Sequence, residues 1–310
     1  KVDLASLAQR FQKHLSADLL TRFSDICHTA NSGRAKFNHR LALMADSAGD
    51  ASRIFSTWEA GKVNAAIWQG EPSNQGIPKI AFVFSSEAPL HFTKYRKLYQ
   101  TAPAFRGAVQ ECEELVGAAI GESVLKVLNP DTHVGDTGSS NALQNATVFT
   151  LDYALAAFLQ ACNVAPNVVY GEGIGECVAA VVAGLIPLED GVWLALRGRD
   201  VLPEAERKIC YRKPKRIMIA SLTGGRIATD QDLSDEYWVG HTKKRANYAA
   251  VTNAIVREHC SLFVESGSGM FHEAVFSHLE ERQALDWLSC LGSLGDDGEP
   301  MLETLARLFV

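Results

Sequence analysis

The sequence predicts an α/β fold, with a parallel sheet flanked by helices and a small α+β unit in front of it. Lys79–Phe84 (Lys-Ile-Ala-Phe-Val-Phe) is a short apolar run of the kind that fills a parallel strand buried on both faces. From that run onward, β-prone segments alternate with longer stretches of helical periodicity, the order of a sheet covered by helices. Before it, Gln69–Pro78 is polar and holds two glycines and two prolines, a linker composition.

The elements follow in order. Residues 3–30 place Leu4, Leu7, Ala8, Phe11, Leu19, Leu20, Phe23 and Ile26 at helical spacing. His39–Ala45 reads as a strand, Asp46 as the cap of a helix near Ala48–Trp58, and Val63–Trp68 as a second strand. After the Lys79–Phe84 strand, helical pattern runs from Phe92 to about Ile120 and from Leu143 to Cys162. Val168–Tyr170 is a short strand that meets Gly171-Glu-Gly-Ile-Gly175, and a helix follows directly over Glu176–Gly184. Another helix covers Leu188 to about Asp200, then a strand Lys215–Ser221, a helix Ala246–His259 and a strand Ser261–Val264. No internal repeat or low-complexity tract is present.

Composition removes several function classes. The chain has 310 residues and 47% apolar content, enough for a real core and too much for general disorder. With 30 Lys+Arg against 36 Asp+Glu the net charge is −6, which argues against a nucleic-acid partner. The densest basic runs, Lys208–Arg216 and Lys243–Arg245, are short and read as solvated faces. No apolar stretch is long enough to span a bilayer, so no membrane partner is expected. The first residues hold no signal-peptide core. The seven cysteines are scattered without a CxxC pair, which points to buried free thiols in a cytoplasmic protein and against a structural metal site.

The strand–turn–helix at Tyr170–Glu176 is the one place built for chemistry. A nucleophile elbow reads Gly-x-Ser-x-Gly: the outer glycines let backbones approach, and the central serine points into the cleft. Gly171 and Gly175 keep that frame, while the centre is Gly173, which has no side chain. A dinucleotide loop is the competing reading of the glycines, but the Gly-x-Gly-x-x-Gly spacing is missed by one residue.

Nearly end to end, the chain resembles the acyltransferase domain of modular polyketide synthases, preceded by its ketosynthase-to-acyltransferase linker. The resemblance rests on Asp25–Leu43, Phe82–Leu90, Leu98–Cys112, Gly171–Glu176, Gly184–Gly198, Ser221–Gly224, Tyr237–His241, Phe263–Gly267 and Leu302–Val310. It implies an α/β-hydrolase-like acyltransferase core. The expected division is a linker domain over 1–78, a truncated acyltransferase-like core over 79–285 and a post-acyltransferase linker over 286–310.

The departures from the family pattern matter more. The family's nucleophilic serine falls at Gly173, the histidine beside it at Glu172, and the glutamine of its oxyanion loop at Glu87. A carboxylate at 87 would repel a developing oxyanion. The family's catalytic histidine follows a small ferredoxin-like subdomain; here Arg199 reaches Tyr211 through a short connector that holds no histidine. No other residue is placed to substitute. Ser85, Ser86, Ser266 and Ser268 lie off the elbow, and His91, His241 and His272 read as lone or structural histidines. The family's carboxylate-clamping arginine survives as Arg197, which is expected to pair with Glu172 or Glu87 and close the site; a retained carboxylate pocket is the alternative.

The resemblance therefore implies a catalytically inactive acyltransferase-like domain with no catalytic residues and no cofactor. Its role would be that of a structural scaffold or docking platform for the adjacent ketosynthase, an acyl carrier protein or a discrete trans-acting acyltransferase. The alternatives are an active malonyl- or acyl-CoA:carrier-protein acyltransferase with an unrecognised nucleophile, a site repurposed around Glu172 and Glu87 as an acid/base pair, or an acyl-binding module. The chain is expected to be a fragment of a longer polypeptide.

Overall fold

The computed structural model describes residues 2–17, 20–33, 35, 37–71, 78–84, 92–126, 140–197, 207–229, 232–234, 236–238, 246–266, 285–291 and 299–310. These form two compact units, residues 1–77 together with 299–310, and residues 78–298.

In the first unit the single helix expected over 3–30 is two, α1 (Val2–Ala17) and α2 (Phe23–Ser32). Helix α3 (Ala48–Glu59) is capped by Ser47, not Asp46: the Ser47 hydroxyl accepts from the Asp50 amide at 3.1 Å. The apolar faces of these helices bury Ala8, Leu15, Ile26, Ala51 and Phe55, with Phe11 and Trp58 packed against them. Strands β1 (Arg40–Leu43) and β2 (Ile67–Gly70) pair antiparallel. The second strand lies further along than expected, since residues 65–66 form a turn. The last helix, α10 (Pro300–Phe309), returns to this unit, where the Arg40 guanidinium donates to the Phe309 carbonyl at 2.9 Å.

The second unit is the expected α/β body. Its strands are β3 (Lys79–Phe84), β4 (Val168–Gly171), β5 (Ile217–Ile219), β6 (Arg226–Ile227), β7 (Cys260–Glu265) and β8 (Asp286–Ser289), in the order β6-β5-β4-β3-β7-β8. All neighbours are parallel except the β5–β6 edge. Residues 286–289, expected in the trailing linker, are thus an edge strand of this sheet.

The helical run expected from Phe92 to Ile120 breaks into α4 (Phe92–Thr101) and α5 (Pro103–Ile120), because Pro103 lacks the amide a helix interior requires and suits a first turn. Helix α6 (Asn141–Ala161) is buried on most sides, and α7 (Ile174–Ala183), α8 (Leu188–Arg197) and α9 (Tyr248–Arg257) complete the layers. One face of the sheet packs Ala81, Val83, Val168, Tyr170, Ile219 and Phe263 against Val251 and Ile255 of α9. From β3 the chain moves to β4 and β5 on one side and reaches β7 and β8 on the other, so the carboxyl end of β3 borders the crevice where open α/β sheets place ligands.

Four carboxylates are buried among the described residues of this body, Asp152, Glu176, Asp190 and Glu265. Asp152 of α6 is 4% exposed, and its Oδ2 has no hydrogen-bond partner. Burial, reinforced by the charge of Glu265 and partly offset by Ser266, pushes the Asp152 carboxyl up to about 8. The folded chain therefore holds a proton that the unfolded chain, near 3.8, releases. Stability falls as pH rises from about 4 to about 8, by up to about 1.4 kcal/mol per pH unit. Urea midpoints across that window should fall for the native chain and stay nearly level for Asp152→Asn, which should be the more stable protein above neutral pH.

Candidate functional site

The elbow is held by its backbone. Strand β4 ends at Gly171, and α7 begins at Ile174 with Gly173 as its N-cap. A Cβ on Gly171 would lie 2.0 Å from the Gly175 carbonyl oxygen, and one on Gly175 would lie 2.2 Å from that of Phe84. The Glu172 amide donates to the Phe84 carbonyl at 3.1 Å, and the Gly175 amide to the Glu172 carbonyl at 2.9 Å. Between them Gly173 takes φ 55° and ψ −121°, a positive-φ conformation that a residue with a Cβ reaches only under strain. The turn from strand to helix keeps the nucleophile-elbow arrangement, and its central residue offers only hydrogen.

The side chains around it are carboxylates and phenols. Glu172 Oε2 accepts from the Tyr248 hydroxyl of α9 at 2.6 Å. Glu176, in the first turn of α7, is fully buried and accepts from the Ser221 amide at 2.8 Å, the Ser221 hydroxyl at 2.6 Å and the Tyr237 hydroxyl at 2.6 Å. Three donors compensate that buried charge and tie α7 to the segment after β5. Burial and the Glu176 charge hold the Tyr237 phenol well above its ordinary range, so it stays protonated as a donor. Ser221 is itself 2% exposed, so this serine–carboxylate pair is an anchor and not a reachable nucleophile. Burial likewise pushes the Cys177 thiol of α7 far up, leaving it an inert core group.

The other sequence-derived candidates divide in two. Arg197 ends α8 with its guanidinium 5.3 Å from the centre of the Trp193 ring. Among the described residues no ion pair joins it to Glu172, whose carboxylate Tyr248 engages instead. Ser266 is buried at the end of β7, its hydroxyl 3.3 Å from the Val83 carbonyl oxygen. Glu87, Ser85, Ser86, Ser268, His91, His241 and His272 lie outside the described residues.

The roles of Glu176, Ser221, Tyr237 and Tyr248 were missed by sequence reasoning. Three of them sit in segments that carried the resemblance, but spacing does not show which side chains meet. Cys112, Cys177, Cys260 and Cys290 are buried free thiols, whereas Cys162 and Cys210 are exposed, against the expectation of general burial. No group of His, Cys, Asp and Glu among the described residues is arranged to hold a metal ion, and no helix among them is long and apolar enough to cross a membrane.

Comparison with known proteins bears on the fold. Residues 95–208 match the family described as acyl transferase domain, and residues 1–54 match that described as CurL-like, PKS C-terminal. The 6-methylsalicylic acid synthase of Penicillium patulum is 30% identical over 175 residues, covering 56% of this chain and 10% of that protein. The orsellinic acid synthase armB of Armillaria mellea is 29% identical over 173 residues, 55% of this chain and 7% of that protein. The chain therefore spans a tenth or less of these relatives. The acyl transferase domain of ZmaA superposes with a TM-score of 0.83 at 18% identity, covering 99% of this chain and 90% of the other. The acyltransferase domain from the second module of the salinomycin polyketide synthase gives 0.74 at 19% identity, with 99% and 90% covered. The chain thus carries the acyl transferase domain signature over residues 95–208, on the fold of the acyltransferase domains of polyketide synthases.

Proposed function

We propose that this chain is a catalytically inactive acyltransferase-like domain of a polyketide synthase. It acts as a structural scaffold or docking platform for a ketosynthase, a carrier protein or a trans-acting acyltransferase. The observation that carries the reading is Gly173, which holds the elbow's φ 55° and ψ −121° with no atom to attack a thioester. The neighbouring position adds a second obstacle. Glu172 supplies a carboxylate that Tyr248 holds in place, where an oxyanion would need donors. The connector over 198–216, between α8 and β5, leaves little chain for the small subdomain that the resemblance calls for.

Two experiments test this. Intact-mass analysis after incubation with malonyl-CoA and methylmalonyl-CoA should show no covalent adduct; an acylated protein would overturn the reading. Gly173→Ser restores a hydroxyl but not a base. It should lower unfolding stability by about 1–3 kcal/mol through the positive φ, and it should still transfer no acyl group from CoA to a carrier protein. Rapid transfer by Gly173→Ser would show that the remaining machinery is intact.

Arg197 supports a second reading, in which a carboxylate pocket outlives the chemistry. Its planar guanidinium is ordered over Trp193 and suited to a bidentate carboxylate. Titration calorimetry with malonate should then show saturable binding that Arg197→Ala removes and Arg197→Lys weakens at least tenfold. Absence of binding to the native chain would leave the scaffold reading alone.

A further inference from the structure

The basic run at 208–216 is exposed, as a solvated face is, and it is also held at fixed points. Lys208, Arg212, Lys213, Lys215 and Arg216 are all exposed, while Ile209 between them is buried. Among the described ion pairs none involves any of the five; the only cation of this segment that finds an acid is Arg207, whose Nε lies 2.7 Å from Asp190 Oδ1. The strip is also fixed in place. The Cys210 amide donates to Asp190 Oδ2 at 2.8 Å, Arg212 to the Leu185 carbonyl at 2.7 Å and Lys215 to the Ala183 carbonyl at 2.7 Å. Five cations with no ion pair among the described residues are thus mounted on a backbone clamped to the end of α7 and the loop after it.

Their position separates them from the elbow. Arg216 immediately precedes β5, and Ile217 is in register with Val168 at the start of β4, whereas the elbow follows Gly171 at the other end of that strand. The strip therefore lies at the amino ends of the parallel strands, opposite the site described above. Part of its charge favours the adjacent carboxyl end of α7, but a helix end draws on one or two cations within its last turn, not five.

We propose that this strip is a docking surface for a compact, acidic protein partner. The charges are spread along a largely exposed segment of nine residues, which suits a field of carboxylates better than a single phosphate group. The chain as a whole carries −6, so a long polyanion reaching past the strip would meet net repulsion that a compact acidic partner confined to the strip would not. The inference rests on the docking part of the scaffold reading, for which it names a face and a partner chemistry, but not on whether position 173 is inert, so the two can fail separately.

The test uses the whole chain and a fluorescein-labelled, Glu-rich helical peptide as probe, read by anisotropy. Binding is expected at about 50 mM salt and should weaken tenfold or more by about 300 mM. The variant combining Lys208→Glu, Arg212→Glu and Lys213→Glu should lose binding at least tenfold with unchanged circular dichroism, while Lys126→Glu, elsewhere on the same unit, should not. No binding at low salt, or equal binding by the triple variant, overturns the proposal. So does strip-dependent binding of inorganic polyphosphate or phosphatidylglycerol vesicles that is tighter than that of the peptide.

Discussion

Three backbones approach more closely at the elbow than any side chain would permit, and the rest of the site depends on that approach. With Gly171 against Gly175, and Gly175 against the Phe84 carbonyl, β3, β4 and α7 meet at van der Waals distance. A methyl at either position would land about an ångström inside normal contact and push helix from sheet. Once these contacts are set, the residue between them has no freedom to choose its dihedral angles. The fold imposes φ 55° on position 173 whatever residue stands there, and glycine adopts it without strain. The elbow is thus a property of packing, and glycine at its centre satisfies it.

The buried carboxylate of Glu176 plays the matching part in side-chain chemistry. A charge at that depth stands only if its lone pairs are met, and Ser221 and Tyr237 meet them from segments remote in sequence. The first turn of α7 is therefore pinned to the region after β5, and the helix amino end favours the negative charge. None of this needs a working nucleophile. These anchors hold the shape of the elbow independently of what stands at its centre.

The fold was legible where a local signal is strong. The bounds of β3 could be read directly from Lys79–Phe84, since a short apolar run after a proline has few alternatives. The strand–turn–helix of the elbow was equally plain, because its glycines are spaced for close approach. Missed features depend on distant partners. Strand β6 has two residues and exists only by pairing with β5, and β8 needs β7 beside it. The site divides in the same way. Its central fact, the missing side chain at 173, is written in one residue. The Tyr248–Glu172 bond spans 76 positions and the Tyr237–Glu176 bond 61, and no periodicity records such meetings. Of the two carboxylates expected for Arg197, Glu172 is held by Tyr248 and Glu87 lies outside the described residues, while the guanidinium meets Trp193 four residues earlier on its own helix.

Charge is distributed along the strand direction in a way that bears on chemistry at both ends of the sheet. Glu172 and Glu176 stand at or beside the carboxyl end of β4, and Glu265 closes β7 with Asp152 coupled to it. Acyl transfer builds negative charge on the carbonyl oxygen and needs donors aimed at it. The carboxylate of Glu172, next to position 173, offers an acceptor and not such a donor. The amino end of the sheet has the opposite character, with exposed cations on a clamped segment and no described acid to offset them. The two ends of the sheet thus differ in the sign of the side chains they carry, carboxylates around the elbow and cations at the start of β5.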